Sequence, residues 1–202
     1  MEIFNVVKEI LTLIIACAGV WVAWSALKTW KKEFIGKKKI DLACDIVEQI
    51  CNIQDIIRYA RNPAFFTNES NKIIKDFNKD KEEFKENKIH YLAAKYRFYN
   101  KKEEINNFFK LRNKAQLYWD KNILDLFNKL NEIIVSINTA AELLYESDNL
   151  DFKSRVKFEK KIWWNFKNDD EIEKNVQKIV DEFKLNLYDC YKDGLTKWKK
   201  LK

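Results

Sequence analysis

From Ile10 to Leu27 the chain reads ILTLIIACAGVWVAWSAL, eighteen residues without a charge. Residues 28–39 follow at once with six lysines against one acid, Glu33. No other stretch restricts the fold as strongly. At about 1.5 Å rise per residue a helix of this length spans about 27 Å, near the hydrocarbon thickness of a bilayer. Trp24 and Trp30 lie towards its C-terminal end, where amphipathic rings favour the membrane interface. The run is therefore expected to be a transmembrane helix.

The flanking charges orient it. Glu2, Lys8 and Glu9 leave the N-terminal side at −1, whereas the C-terminal flank stands at +5. Lysines stay on the cytoplasmic side of a span. The expectation is a single-pass protein of a bacterial inner (plasma) membrane, N-terminus outside and C-terminal domain in the cytoplasm. Lys28, Lys31, Lys32, Lys37, Lys38 and Lys39 would also hold the chain against anionic lipid headgroups.

Three readings compete with a span. A cleaved signal peptide has a positive first region, and here that region holds two acids. IIAC at Ile14–Cys17 resembles a lipoprotein cleavage box, yet ten more uncharged residues follow Cys17 where a polar tether is usual. A buried core helix leaves the lysine block and the tryptophans without explanation.

Within the run Ala16, Gly19, Ala23 and Ala26 recur at spacings of 3, 4 and 3, with Trp21 and Trp24 towards the other side. Gly19 and Ala23 form a small-xxx-small pair, which lets two helices approach closely in lipid. Self-association through this stripe, giving a homo-oligomer, is one expectation. Ordinary span composition is the other.

Three glycines and one proline in 202 residues favour long helices with few connections. A content of 47% hydrophobic and 14% aromatic residues is ample for one packed domain beyond the anchor. Net charge is +7, but the lysine flank holds most of it, and residues 40–202 carry only +3. Nucleic-acid binding is accordingly not expected. Cys17, Cys44, Cys51 and Cys190 form no CxxC pair, and His90 is the only histidine. Cys44 and Cys51 would sit about 10 Å apart along one helix face, too far for a disulfide. No metal, cofactor or small-molecule substrate is expected.

After the lysines, Ala43, Ile46, Ile50, Ile53, Ile57 and Ala60 form a helix seam that ends at Asn62-Pro63, since a residue before proline leaves the α region. PAFFTNESN, from Pro63, reads as a loop. KIIKDFNKDKEEFKENK reads as a solvated helix or connection with a thin apolar face. In the next segment Leu92, Tyr96, Tyr99, Phe108, Ala115 and Trp119 are expected to be buried. Ile123, Phe127, Leu130, Ile134, Ile137, Ala141 and Leu144 make the strongest seam. A short helix carries Val156 to Trp164. Asn168-x-x-Glu171 reads as a capping box ahead of a last helix that buries Ile172, Val176, Ile179, Phe183 and Leu187.

The expected fold class is all-α. An N-terminal transmembrane anchor with its basic flank covers residues 1–33. A cytoplasmic antiparallel bundle of about four or five helices covers residues 34–202. The seams suit packing within one chain or coiled coils between chains.

TWKKEFIGKKKIDLACDI and RYARNPAFF, with the later LYWDKNILDLFNKLNEII and NDDEIEKNVQKIVDEF, resemble an uncharacterised group of bacterial single-pass membrane proteins. In that group a short N-terminal span leads into a helix that stops at an Arg-x-Pro-like loop. The resemblance implies the same tethered architecture and no catalytic residues. It draws attention to Arg61, Asn62 and Pro63, either as an interaction motif or as a plain helix stop.

No glycine-rich phosphate loop exists, and His90 lacks motif partners for a triad or a metal site. Neighbouring acids such as Glu103 and Glu104 point about 100° apart on a helix and share no site. No enzyme is expected. Trp163 and Trp164 open the densest aromatic cluster, which suits core packing or an interaction surface. The tail TKWKKLK, with Trp198 and Leu201 among lysines, suits a frayed end or a second contact with anionic lipid. The expected function is a membrane-anchored interaction or scaffold module whose protein partner the residues do not name. The alternative is an oligomerising membrane effector of a defence or toxin system, triggered through the cytoplasmic part.

Overall fold

The computed structural model describes residues 2–65, 67–77, 85–165 and 169–199. All the regular structure among them is helical. The α-helices are α1 (Glu2–Ala60), α2 (Thr67–Phe77), α3 (Ala93–Asn100), α4 (Lys102–Ala115), α5 (Lys121–Glu146), α6 (Phe152–Ile162) and α7 (Glu171–Lys199), and a 3₁₀ segment covers Glu86–Leu92. The chain divides into two compact units, Met1–Asp41 and Leu42–Lys202. The first is the early part of α1, where the large apolar side chains from Ile10 to Leu27 stand exposed.

The second unit is organised by α5, which touches α3, α4, α6, α7 and the 3₁₀ segment. Its buried row runs Ile123, Phe127, Leu130, Ile134, Ile137, Ala141 and Leu144, as the spacing predicts. The α1 seam from Ala43 to Ala60 is buried in the same core. Phe108 of α4, Phe127 of α5 and Phe183 of α7 meet at its centre, with ring centroids 4.8, 5.0 and 6.3 Å apart. Two of these pairs are edge-on, which adds about 0.5–1.5 kcal/mol each beyond area burial. A smaller cluster joins Ile73 of α2, Ile89 and Leu92 of the 3₁₀ segment, Ala93 and Tyr96 of α3, and Tyr145 of α5. From α1 to α7, Gln54 Nε2 donates to Gln177 Oε1 at 2.8 Å and Arg58 Nε donates to Glu173 Oε1 at 2.9 Å.

Several local expectations shift. The loop after Pro63 is shorter than the sequence suggests, because α2 starts at Thr67. Glu69 in its first turn suits the helix dipole. The charged stretch behind it still buries Ile73 completely. Tyr99 is exposed, with Lys102 Nζ 4.4 Å from its ring centre. Its neighbour Arg97 takes the inward position instead, drawn by carbonyls at the end of α1. Trp119 is only half-buried. The short helix begins earlier than Val156, at Phe152, because Asp151 accepts a hydrogen bond from Ser154 N at 3.0 Å as N-cap. It stops before Trp163, whose backbone is extended. The capping box at Asn168 lies outside the described residues. At the start of α7, Asp170 accepts from Glu173 N at 3.0 Å. The lipid-contact reading at Trp198 and Leu201 also lies outside the described side chains.

Candidate functional site

Two places hold the residues singled out by sequence. The first is the exposed part of α1. Among the described residues one helix is long and apolar enough to cross a membrane. Its most apolar eighteen-residue window has a mean hydropathy of 2.2 and no buried residue. Signal sequences and soluble core helices can reach the same length and hydropathy. A core helix, however, has its apolar face covered, and this window has none covered. Ten large apolar side chains between Ile10 and Leu27 are each more than half exposed. Transfer of such a set from water is worth on the order of 10–20 kcal/mol.

The stripe of Ala16, Gly19, Ala23 and Ala26 is open along its length. A Cβ added at Gly19 would meet nothing within 4 Å. Lys28, Lys31, Lys32, Lys37 and Lys38 are exposed, while Lys39 is half-buried. Lys28 Nζ sits 5.8 Å from the Trp24 ring centre and Lys38 Nζ sits 5.5 Å from that of Phe34. Both are pairs four residues apart on one helix face, within the range of a cation–π contact.

The second place is the end of α1. Arg61 is 1% exposed, the largest of the fully buried side chains. Its Nε donates to Lys161 O at 2.8 Å, and its Nη2 reaches Lys160 O and Trp163 O at 3.0 Å. The first two carbonyls belong to the last turn of α6, which has no helical partners for them, and the third to the residue just after it. Nη1 and Nη2 also grip both oxygens of Asp170 at 2.9 and 2.8 Å. Trp164 N returns a bond to Arg61 O at 2.6 Å. One guanidinium thus joins the ends of α1 and α6 to the start of α7. Burial pushes the Asp170 carboxyl up. The bonds from Arg61, Asn165 N and Glu173 N outweigh burial and hold it below the usual carboxylate value.

Arg61, Trp163 and Trp164 therefore meet, with Arg61 enclosed and the two tryptophans half-buried. Asn62 is half-buried and Pro63 exposed. Asn62 Oδ1 accepts from Ala64 N at 2.9 Å, which tightens the turn after α1. The Trp163 ring lies nearly parallel to His90, with centroids 6.4 Å apart. Burial lowers the His90 pKa, despite the opposing charge of Glu159.

A second buried arginine was not singled out by sequence. Arg97, 3% exposed, binds Glu69 through two nitrogens at 2.6 and 2.7 Å. It also donates to Asn62 O and Ala64 O at 2.5 Å. The run YLAAKYRFY holds two cations, Lys95 and Arg97, and nothing local marks which of them turns inward. Among the described residues no group of three or more His, Cys, Asp or Glu side chains is arranged to hold a metal ion. No protein-family model, curated protein or solved structure matches the chain.

Proposed function

We propose that residues 10–27 cross a bacterial inner membrane once, with the N-terminus outside. Residues 34–202 then form a cytoplasmic antiparallel helical bundle that serves as a tethered interaction or scaffold module without enzymatic activity. The observation that carries this reading is the contrast between a wholly uncovered apolar helix and a core that closes without it. The lysines after the span supply the orientation and a contact for anionic headgroups. Two tests apply together. The protein should stay with membranes through alkaline carbonate washing, and a reporter active only in the cytoplasm should work when fused after Lys202. Release into the soluble fraction, or activity only of an exported reporter, would overturn the proposal.

The open stripe at Gly19 favours a second reading, an effector that oligomerises in the bilayer on a signal received by the bundle. Overexpression with a membrane-potential dye separates the two. Depolarisation supports the effector, and an unchanged potential supports the tether.

A further inference from the structure

The charge of the second unit is concentrated on one helix. α6 carries Lys153, Arg155, Lys157, Lys160 and Lys161 against Glu159, a net +4 in eleven residues. Residues 40–202 as a whole carry +3, so everything outside α6 sums to −1. Uniform solvation would not require such segregation. Beside α6, and shared with α5 and α7, lies a recessed cavity of about 640 Å³. Lys157, Lys160, Lys161 and Lys174 line it, with Ile133 and Ile172 as apolar wall. That volume falls in the range of small-molecule sites and far exceeds a single hydrated ion.

Three acids also border the cavity: Asp169, Asp170 and Glu171. Asp170 is already neutralised by Arg61, Asp169 pairs with Lys174 at 3.2 Å, and the exposed Glu171 offsets one of the remaining charges, so the lining keeps a net +2. Lys157, Lys160 and Lys161 have no carboxylate partner among the described residues. The backbone carbonyls of Lys160 and Lys161 are held by Arg61, so the origin of two of these side chains is fixed by a buried junction. Three unspent ammonium groups around a ligand-sized recess suit phosphate oxygens, which lysine binds as a point charge.

We propose that this cavity binds a phosphate-bearing ligand. Lys157, Lys160 and Lys161 hold its phosphate oxygens, and Ile133 and Ile172 lie against its apolar body. The same chemistry is offered by a soluble phosphorylated molecule and by a phospholipid headgroup.

The test uses the full chain in neutral detergent micelles, with calorimetric titration of ATP, inorganic tripolyphosphate and a short-chain phosphatidic acid. Saturable binding of at least one probe is expected. Lys157→Ala and Lys160→Ala should each weaken it about tenfold, the scale of one charge-assisted hydrogen bond. A Lys153→Ala/Arg155→Ala variant removes twice the charge of either single change from the same helix outside the cavity, and should still bind within about twofold of the parent. Both lysines are exposed, so circular dichroism should be unchanged in every variant. Binding of ATP or tripolyphosphate identifies a soluble source, and binding of phosphatidic acid alone identifies the headgroup. Absence of saturable binding by all three probes would overturn the proposal. So would equal losses in the control variant, since they would reflect only the general field of α6.

Discussion

Replacing Arg61 by methionine should be among the most damaging changes in the second unit. Methionine retains much of the volume and removes the charge and every donor. Asp170, with a side chain 6% exposed, would keep its carboxylate with only two backbone donors, Asn165 N and Glu173 N. The carbonyls of Lys160, Lys161 and Trp163 would lose their shared donor. Removing one partner of a buried ion pair costs about 3–5 kcal/mol. A domain of this size is stable by about 5–15 kcal/mol, so the loss is a large fraction of the whole. The assay is urea unfolding of residues 34–202, followed by helical circular dichroism.

The pH dependence makes the prediction sharper. In the parent the folded Asp170 carboxyl titrates below its unfolded value of about 3.9. Its contribution is therefore fully present above that value, and is lost as pH falls through the lower folded one. Without Arg61, its hydrogen bonds and its charge no longer oppose burial, and the folded carboxyl should titrate higher than in the parent. Protonation then relieves an unpaired buried charge. The cost of Arg61→Met should accordingly shrink between pH 7 and pH 4, and Asp170→Asn in the same background should recover part of it at pH 7. A cost below about 1 kcal/mol, or one that does not change with pH, would refute the account of Arg61 as a buried junction.

Leu130→Asp should abolish cooperative melting of residues 34–202, because it places a carboxylate at a fully buried position of α5. Unaltered melting would show the core to be misplaced. Asp148, bridged by Lys85 and Lys88, is held down to about 2. Its contribution should persist well below pH 4 and fade as pH falls through about 2, visible as a side-chain titration by NMR that moves up in Lys85→Ala/Lys88→Ala. Changing Lys28, Lys31, Lys32, Lys37, Lys38 and Lys39 to glutamine should weaken the topology bias in a dual-reporter assay. Gly19→Ile should lower self-association in a transmembrane-dimer reporter while insertion survives, with Val20→Ile as the control. Equal association would leave the stripe as ordinary span composition.

What could be read from the sequence follows from which signals are periodic. The rows from Ala43 to Ala60 and from Ile123 to Leu144 repeat every three or four residues over several turns, and every named position in them is buried. The uncharged run needs only composition. Helix ends are different, because they are decided by where orphaned backbone groups find partners. α6 stops before Trp163 because Arg61, about a hundred residues earlier in the chain, collects its last carbonyls. Tyr99 points outward because Arg97 is needed inward, at the end of α1. No local window contains both sides of either arrangement.

The same reasoning bears on why Arg61 and Arg97 stand where they do. Both lie at the C-terminal end of α1 or against it, where carbonyls and the negative end of the helix dipole gather. Arg97 binds those carbonyls and Arg61 binds the carbonyls at the end of α6, and each also grips an acid from the start of another helix, Asp170 for α7 and Glu69 for α2. Lysine could not replace either, since its three donors radiate from one point and cannot serve a planar set of acceptors on two sides. The two arginines therefore tie the end of α1 to four other elements, α2, α3, α6 and α7.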